Sequence, residues 1–406
     1  MPAFDPLALA CRQQFPALKR QINGQPVVFF DGPAGSQVPK RVIDAISDYF
    51  VNHNANHGGE FATSRENDAI MVRTQKLLAA FLNAPDPDSI IFGANMTTLT
   101  FAFSRALATR WQPGDEIMVT RLDHDANVSP WVRAARDRGI TVQHVGIHPE
   151  DCTLDLDDFK RKLSSKTKLV AVGCASNAVG TRNPVQEIVR LAHAAGSLVF
   201  LDAVHLAPHA QIDVQKWGCD FLACSAYKFF GPHVGILWGR RKLLEELPAY
   251  KVRPAAETLP DRWMTGTQNF ECIAGVGAAL EYLFSLNEGR SPFAAIEEYE
   301  RGIGARLLAG LGELPGVKIW GITDPKRLHE RVPTVSFTHQ KKKPREIAEY
   351  LGERGIFVWH GNYYALPLTE TLGLEPDGMV RVGLLHYNTA EEVDRLIAVL
   401  REMEHA

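Results

Sequence analysis

Short apolar runs alternate with amphipathic segments through the first two thirds of the chain. Apolar runs of four or five residues predict buried strands, and segments whose apolar residues recur every three or four positions predict helices. The predicted strands span residues 89–92, 116–120, 141–145, 169–173, 198–202, 221–224 and 234–238. The predicted helices span residues 40–50, 66–82, 97–110, 129–138, 156–163 and 185–195. This alternation predicts an α/β fold in which a mostly parallel seven-stranded sheet is covered by helices on both faces.

The pattern changes near residue 287. Helices are predicted at 293–311, 345–354 and 390–404, with short strands near 317–319, 334–337, 356–358 and 379–382. Strands and helices in this order are typical of a smaller α+β domain. We therefore divide the chain into an N-terminal segment (1–30) that packs with the small domain, a large ligand-binding domain (31–286) and a small C-terminal domain (287–406).

Composition and charge exclude several classes of function. The chain has 406 residues, of which 45% are hydrophobic and 22% charged, and its formal net charge is -3. A chain with no excess of basic residues lacks the electrostatic footprint expected for nucleic acid or an anionic membrane. No run of about 18 apolar residues predicts a membrane span, and residues 1–20 contain no long apolar segment of the signal-peptide kind. We expect a cytoplasmic protein without nucleic-acid or membrane partners.

The six cysteines are scattered along the chain, and no two of them have CxxC spacing. A chain of this length can build a hydrophobic core without disulfide staples. This pattern predicts reduced, mostly buried thiols.

Polar residues follow the predicted strands of the large domain at the points where the strands end. They are Asn95, His124, Asn177, Asp202 and Lys228. Because ligands of parallel sheets bind beyond the carboxyl ends of the strands, these five side chains are candidates for one shared site.

Lys228 and Asp202 have the chemistry required to bind pyridoxal 5'-phosphate (PLP). A PLP enzyme holds its cofactor as a Schiff base on a lysine, and a carboxylate keeps the pyridine nitrogen protonated. Asp202 ends a buried apolar run, and Lys228 follows the next predicted strand. A surface lysine and a helix-capping aspartate are the alternatives that these residues leave open when each is taken alone.

Three other features complete the PLP hypothesis. The turn at 93–98 joins a strand to a helix whose first N–H groups, with Thr97, suit a phosphate; a plain capping turn is the alternative. His124 is a candidate to pack on the cofactor ring; a metal site with Asp123 and Asp125 is the alternative, although no second His or Cys lies at ligand spacing. Arg381 suits a substrate carboxylate; a structural ion pair is the alternative.

Four motifs carry a resemblance to a known family. They are the segments 225–232 (SAYKFFGP), 202–205 (DAVH), 176–181 (SNAVGT) and 266–269 (GTQN). With them, almost the whole chain resembles a fold-type I PLP enzyme of the class V aminotransferase family, in its cysteine desulfurase and selenocysteine lyase branch. His205 and Tyr227 depart from the family pattern, which has glutamine and histidine at these positions.

The resemblance implies a role for each matching residue. Lys228, His124 and Asp202 would be catalytic, as the Schiff-base lysine, the ring-stacking residue and the partner of the pyridine nitrogen. The other cofactor-binding residues would be Asn95, Met96, Thr97, Asn177, His205, Ser225, Tyr227 and Thr267. Thr267 would reach the phosphate of a neighbouring subunit, which implies a homodimer with shared active sites. Arg381, Asn177 and Tyr364 would bind the substrate.

The loop at 359–367 differs from the family pattern. Tyr364 stands where one group of desulfurases has a cysteine, and Trp359 stands where that group has an arginine. None of the six cysteines lies in this loop. A phenol, with a reference pKa near 10, does not replace a thiolate as an acceptor of sulfane sulfur.

We therefore predict a PLP-dependent enzyme that abstracts the Cα proton of an amino acid and eliminates a group from its β-carbon, without a cysteine persulfide. The alternatives that use the same cofactor are an aminotransferase and an amino-acid epimerase or racemase. A PLP-binding protein that has lost its activity is a further alternative, against which Lys228, Asp202 and Arg381 argue.

Overall fold

The structure is a computed structural model that describes residues 6–287 and 291–404. Its largest sheet has seven strands. In chain order these are β1 (Ile90–Gly93), β2 (Glu116–Thr120), β3 (Thr141–Val145), β4 (Thr167–Gly173), β5 (Leu198–Asp202), β6 (Phe221–Ser225) and β7 (Gly235–Gly239). Their spatial order is β1-β7-β6-β5-β4-β2-β3.

Strand β7 alone in this sheet runs antiparallel to its neighbours, β6 and β1. The pairs β6–β5, β5–β4, β4–β2 and β2–β3 are all parallel. Strands such as β6 and β7 are buried along their whole length, as expected for a sheet covered on both faces. The predicted mostly parallel seven-stranded sheet is confirmed.

The part of the chain that the structure describes contains fourteen α-helices, three of which precede β1. They are α1 (Pro6–Arg12), α2 (Lys40–Asp48), α3 (Ala62–Leu82), α4 (Met96–Ala108), α5 (Ser129–Arg138), α6 (Leu156–Lys162), α7 (Val185–Ala194), α8 (Val214–Trp217), α9 (Arg241–Glu246), α10 (Phe270–Ser285), α11 (Phe293–Gly312), α12 (Pro344–Glu353), α13 (Leu366–Thr371) and α14 (Ala390–Glu404). Most predicted helices agree with these bounds to within a few residues, but no helix was predicted for α10, which packs against α2 and α3.

The C-terminal part contains a four-stranded antiparallel sheet with the order β8-β9-β11-β10. Its strands are β8 (Val317–Trp320), β9 (Thr334–His339), β10 (Trp359–Gly361) and β11 (Met379–Gly383). Helices α11 and α14 pack against each other beside it. Strand β10 lies within the loop at 359–367, for which the sequence predicted no regular structure.

The N-terminal segment contacts both parts of the protein. Val28–Phe29 pairs in parallel with Ile356–Phe357, and Phe30 packs in the core of the C-terminal part. Phe15, by contrast, packs in the core of the large sheet. The division at 1–30, 31–286 and 287–406 stays a prediction, and residues 1–5, 288–290 and 405–406 lie outside the described residues. Within residues 6–287 and 291–404, no helix has the length and apolar character needed to cross a membrane.

Candidate active site

A cavity of about 540 Å³ lies at the carboxyl ends of the large-sheet strands, where the C-terminal part meets the large sheet. It brings together nearly all the residues that the sequence predicted for the site. They are Asn95, Met96, Thr97, His124, Asn177, Asp202, His205, Ser225, Tyr227, Lys228, Tyr364 and Arg381. Thr267 does not line this cavity, and its side chain is exposed. Its predicted contact with a neighbouring subunit stays a prediction.

Lys228 lies in a short turn directly after β6 and is only 9% exposed. Its Nζ donates to the backbone oxygens of Pro33 and Ala34, the latter at 3.0 Å. Burial, and then the charge of Arg381, lower the pKa of Lys228 to about 7. In the described part of the chain, no carboxylate forms an ion pair with this amine. Near neutral pH a substantial share of the amine is therefore neutral and able to accept a proton.

Asp202 ends β5 and is buried. Its Oδ1 accepts a hydrogen bond from Val204 N at 2.8 Å. Burial raises the pKa of Asp202 to about 6, against the opposing effects of this hydrogen bond and of Lys228. Since that value lies below neutral pH, most of the carboxylate is ionised there and can pair with a cation such as a pyridinium.

Helix α4 begins at the carboxyl end of β1, where Asn95 Oδ1 accepts from Thr98 N at 2.9 Å and caps the helix. Ser225 Oγ accepts from Met96 N at 3.1 Å and ties this turn to the end of β6. A Cβ at Gly235 would lie 2.3 Å from the backbone carbon of Asn95, so glycine permits the turn to lie against β7. The result is a fixed helix N-terminus, a favourable setting for a phosphate.

His124 follows β2 and has a defined tautomer. Its Nδ1 accepts a hydrogen bond from Ala126 N at 3.0 Å, so the proton of the neutral ring is on Nε2. Burial, followed by the charges of Lys228 and Arg381, lowers the pKa of His124 to about 4. The neutral ring lines the cavity, and the Tyr364 ring lies at a centroid distance of 5.5 Å, tilted by 32°.

Asp123 also lines the cavity. From the sequence it is a candidate only for the alternative metal site with His124 and Asp125. Its carboxylate accepts hydrogen bonds from Thr120 Oγ1 and from Asn127 Nδ2 at 2.9 Å. Burial raises the pKa of Asp123 to about 7. Within residues 6–287 and 291–404, no group of three His, Cys, Asp or Glu side chains is placed to hold a metal ion.

Arg381 enters the cavity from β11 and is buried. Its Nη1 donates to Asn177 O at 2.8 Å, and its guanidinium carbon lies 4.1 Å from the centre of the Tyr363 ring. Asn177 Nδ2 in turn donates to Tyr363 O at 2.9 Å. Burial lowers the pKa of Arg381 to about 10, which leaves it protonated at neutral pH. Arg381, Asn177 and Tyr363 are thus linked to one another by two hydrogen bonds and one cation–π contact.

His205 connects the cavity with a second buried pair. Its Nε2 lies 3.0 Å from Thr334 Oγ1 on β9, and burial holds the pKa of His205 well below its usual range. The ring of His209 lies 5.5 Å from that of His205, and His209 Nδ1 lies 2.7 Å from Glu300 Oε2 on α11. These polar contacts join the large sheet to the C-terminal part directly behind the site.

No thiol lines the cavity within the described residues, which include all six cysteines. Five of them are buried, and Cys272 is half-buried. Burial raises the pKa of Cys272 and of each of the others, which disfavours the reactive thiolate.

These residues fit PLP. The buried Nε of Arg381 and Oδ1 of Asn177 have no hydrogen-bond partner within the described chain. Buried polar groups without partners are rare and costly, so these two atoms point to a ligand. Lys228, Asp202 and the N-terminus of α4 supply the amine, the carboxylate and the phosphate donors that the cofactor requires.

Comparison with known proteins supports this assignment. The family described as Aminotransferase class-V matches residues 28–396. A cysteine desulfurase of Serratia proteamaculans is 34% identical over 408 residues, covering 97% of both chains. A probable cysteine desulfurase of Synechocystis sp. is 34% identical over 411 residues, covering 97% of this chain and 95% of the relative.

Solved structures agree with the sequence relatives. The apo structure of a cysteine desulfurase from Thermococcus onnurineus NA1 has a TM-score of 0.89 at 28% identity and covers 97% of each chain. A cysteine desulfurase from Escherichia coli has a TM-score of 0.86 at 26% identity and covers 98% of each chain. The predicted resemblance and fold-type I architecture are confirmed. The chain belongs to the class-V aminotransferase family of enzymes that use pyridoxal 5'-phosphate.

Proposed function

We propose that the enzyme breaks the bond between the β-carbon of an amino acid and a sulfur leaving group, without forming a cysteine persulfide. With cysteine itself, one cysteine and one water would give pyruvate, ammonia and hydrogen sulfide. The bonding electron pair of the C–S bond leaves with sulfur, and a proton completes the thiol. The observation that carries this proposal is a buried lysine amine in a cavity that no cysteine lines.

Different residues of the cavity have different roles in this reaction. When bound, PLP withdraws electrons from the Cα–H bond of the amino acid. Arg381, with its unpartnered Nε, binds the α-carboxylate and fixes the orientation of the substrate. Lys228, whose pKa is lowered to about 7, takes the Cα proton. Asp202 keeps a negative charge at the end of β5, where it favours a protonated pyridine nitrogen.

Other residues hold the cofactor in place. Thr97, Ser225 and Tyr227 line the phosphate end of the cavity with the N-terminus of α4. The neutral ring of His124 would pack on the bound cofactor. Asn177 and His205 face the cofactor or the substrate. We further propose a cytoplasmic homodimer in which the exposed Thr267 reaches the phosphate site of the neighbouring subunit.

A panel of amino acids tests the reaction class. We expect holoenzyme to release pyruvate and ammonia from cysteine and from its thioethers. Accumulation of pyridoxamine phosphate that a keto acid discharges would instead show an aminotransferase, and loss of optical activity without keto acid would show a racemase. Either result would refute the elimination.

A Lys228→Ala variant tests the assignment of the lysine. It should lose both the visible absorbance band of the lysine-bound cofactor and the release of pyruvate. The control is Lys251→Ala, because the Lys251 ammonium pairs with the exposed Glu257 away from the cavity. A Lys228→Ala protein that keeps the lysine-bound absorbance would contradict the assignment.

A further inference from the structure

Two exposed aromatic side chains, Trp359 and Tyr364, line the outer end of the cavity; we call this pair the aromatic rim. Trp359 is 50% exposed and Tyr364 is 72% exposed, whereas Lys228 and Arg381 at the inner end are buried. Exposed large aromatic side chains that border a cleft are typical of ligand contacts. The rim therefore borders the same cavity as Lys228 and Arg381 but lies apart from the reacting groups.

The strand register directs Trp359 towards the cavity. Trp359 on β10 pairs directly with Arg381 on the antiparallel strand β11. Directly paired residues of antiparallel strands project from the same face of the sheet, with Cβ atoms about 5 Å apart. The Trp359 side chain therefore leaves the sheet beside that of Arg381, the residue that we assign to the α-carboxylate.

The backbone of Tyr364 has a conformation that is unfavourable for most residues other than glycine. Tyr363 and Tyr364 have φ values of 56° and 59°, in the left-handed region. Tyr364 N donates to Asn362 Oδ1 at 3.1 Å, and Tyr364 O accepts from Asp125 N at 2.7 Å. Strained residues held by several hydrogen bonds cluster at functional sites. The loop thus fixes the backbone of Tyr364, whose ring lies 5.5 Å from that of His124.

The outer end of the cavity has little charge. Besides the rim, it is lined by His360, Gly361, Asn362 and Pro376, and the charged lining residue next to it is Arg381, which pairs with Trp359. The Glu375 carboxylate near this loop accepts hydrogen bonds from Asn362 and Thr369. An uncharged ring can therefore pack against the rim without removing water from a charged side chain.

We propose that the aromatic rim binds a flat, uncharged ring carried by the leaving group, so that an S-aryl or S-arylmethyl thioether of cysteine is a better substrate than free cysteine. This inference rests on the proposed function. With S-benzyl-L-cysteine, one water is consumed and pyruvate, ammonia and benzyl thiol are released. The C–S electron pair and a proton go to the thiol.

Two thioethers measured on the holoenzyme test the rim. We expect kcat/KM for S-benzyl-L-cysteine to exceed that for S-methyl-L-cysteine. Tyr364→Asn should lower this ratio about threefold to tenfold, the range for one aromatic pair, because asparagine tolerates the left-handed backbone but has no ring. Tyr364→Phe should keep the ratio, and so should Tyr250→Asn, which removes an exposed tyrosine outside the cavity.

A binding measurement separates the rim from the reaction. L-homophenylalanine has the ring but no β-leaving group, and L-2-aminobutyrate lacks both. Calorimetry should show tighter binding of L-homophenylalanine to wild-type holoenzyme, and this preference should shrink about threefold to tenfold in Tyr364→Asn.

The outcomes distinguish the two proposals. If both thioethers give pyruvate at a ratio that Tyr364→Asn leaves unchanged, the rim proposal is wrong and the elimination stands. If neither thioether gives pyruvate but the ring preference in binding depends on Tyr364, the elimination is wrong and the rim stands. A shift from dimer to monomer in Tyr364→Asn, with no change in ring preference, would assign the rim to contact with a second copy and overturn the proposal.

Discussion

The contact between Arg381 and Tyr363 makes a quantitative prediction about substrate binding. The guanidinium carbon lies 4.1 Å from the centre of the Tyr363 ring, and both residues are buried. A desolvated cation–π contact of this kind contributes about 2 kcal/mol. Tyr363→Leu removes it and frees the guanidinium to move. Because about 1.4 kcal/mol corresponds to a factor of ten, we expect kcat/KM to fall by about 30-fold, chiefly through KM.

Tyr363→Phe is the matched control for this prediction. It keeps the ring beneath Arg381 but removes the hydroxyl, which donates to Met379 O. The expected cost is about 1 kcal/mol of unfolding free energy, with kcat/KM changed by less than threefold. The assay is steady-state kinetics with saturating PLP, together with denaturant unfolding of each variant. Equal losses of kcat/KM in the leucine and phenylalanine variants would refute the role assigned to the ring.

Three further predictions concern the cofactor turn, the lysine and the buried pair. Gly235→Ala should weaken PLP retention on dialysis at least tenfold, because its Cβ would lie 2.3 Å from Asn95; the control Gly352→Ala, with open space, should retain PLP. The pKa of Lys228 is lowered from 10.5 to about 7 by folding, so between these pH values the unfolded state binds the extra proton, and the contribution of Lys228 to apoprotein stability should rise with pH. Lys228→Met should abolish that rise in urea unfolding. Glu300→Gln should lower the unfolding free energy by about 1–3 kcal/mol, whereas Glu297→Gln, whose Arg182 pair is half-exposed, should cost less than about 1 kcal/mol.

Results contrary to these three predictions are equally specific. PLP retained equally by both glycine variants would contradict the packing of the phosphate turn against β7. A pH slope that survives in Lys228→Met would assign the titration to another group. Equal effects of Glu300→Gln and Glu297→Gln would show that the buried His209–Glu300 pair adds no more than a surface pair.

Much of the large sheet and its site could be predicted from the sequence. Strands β2 and β5 have the predicted bounds because a strand buried on both faces is a continuous apolar run. Polar residues at the ends of such runs, such as Asp202 and Lys228, can be recognised because the residues before them are apolar. Parallel pairing then brings these ends to one edge of the sheet.

Other features depend on tertiary contacts that periodicity does not reveal. Helix α10 is apolar on nearly all sides because it packs against α2 and α3, so it lacks the polar face that marks an amphipathic helix. Tyr363 was missed because its role depends on a backbone conformation and on Arg381 from a distant strand. The His209–Glu300 pair joins residues 91 positions apart. A histidine at 205 where the family pattern has glutamine was the one sequence signal near this pair.

The most direct test of the central claim is the identity of the carbon product formed from cysteine. Holoenzyme treated with iodoacetamide would be incubated with cysteine, and the products would be identified by NMR. The absence of a cavity thiol predicts pyruvate, ammonia and sulfide over many turnovers, with or without alkylation. Removal of sulfur as an enzyme persulfide would instead leave alanine. Alanine as the product, lost on alkylation of the enzyme, would contradict the account.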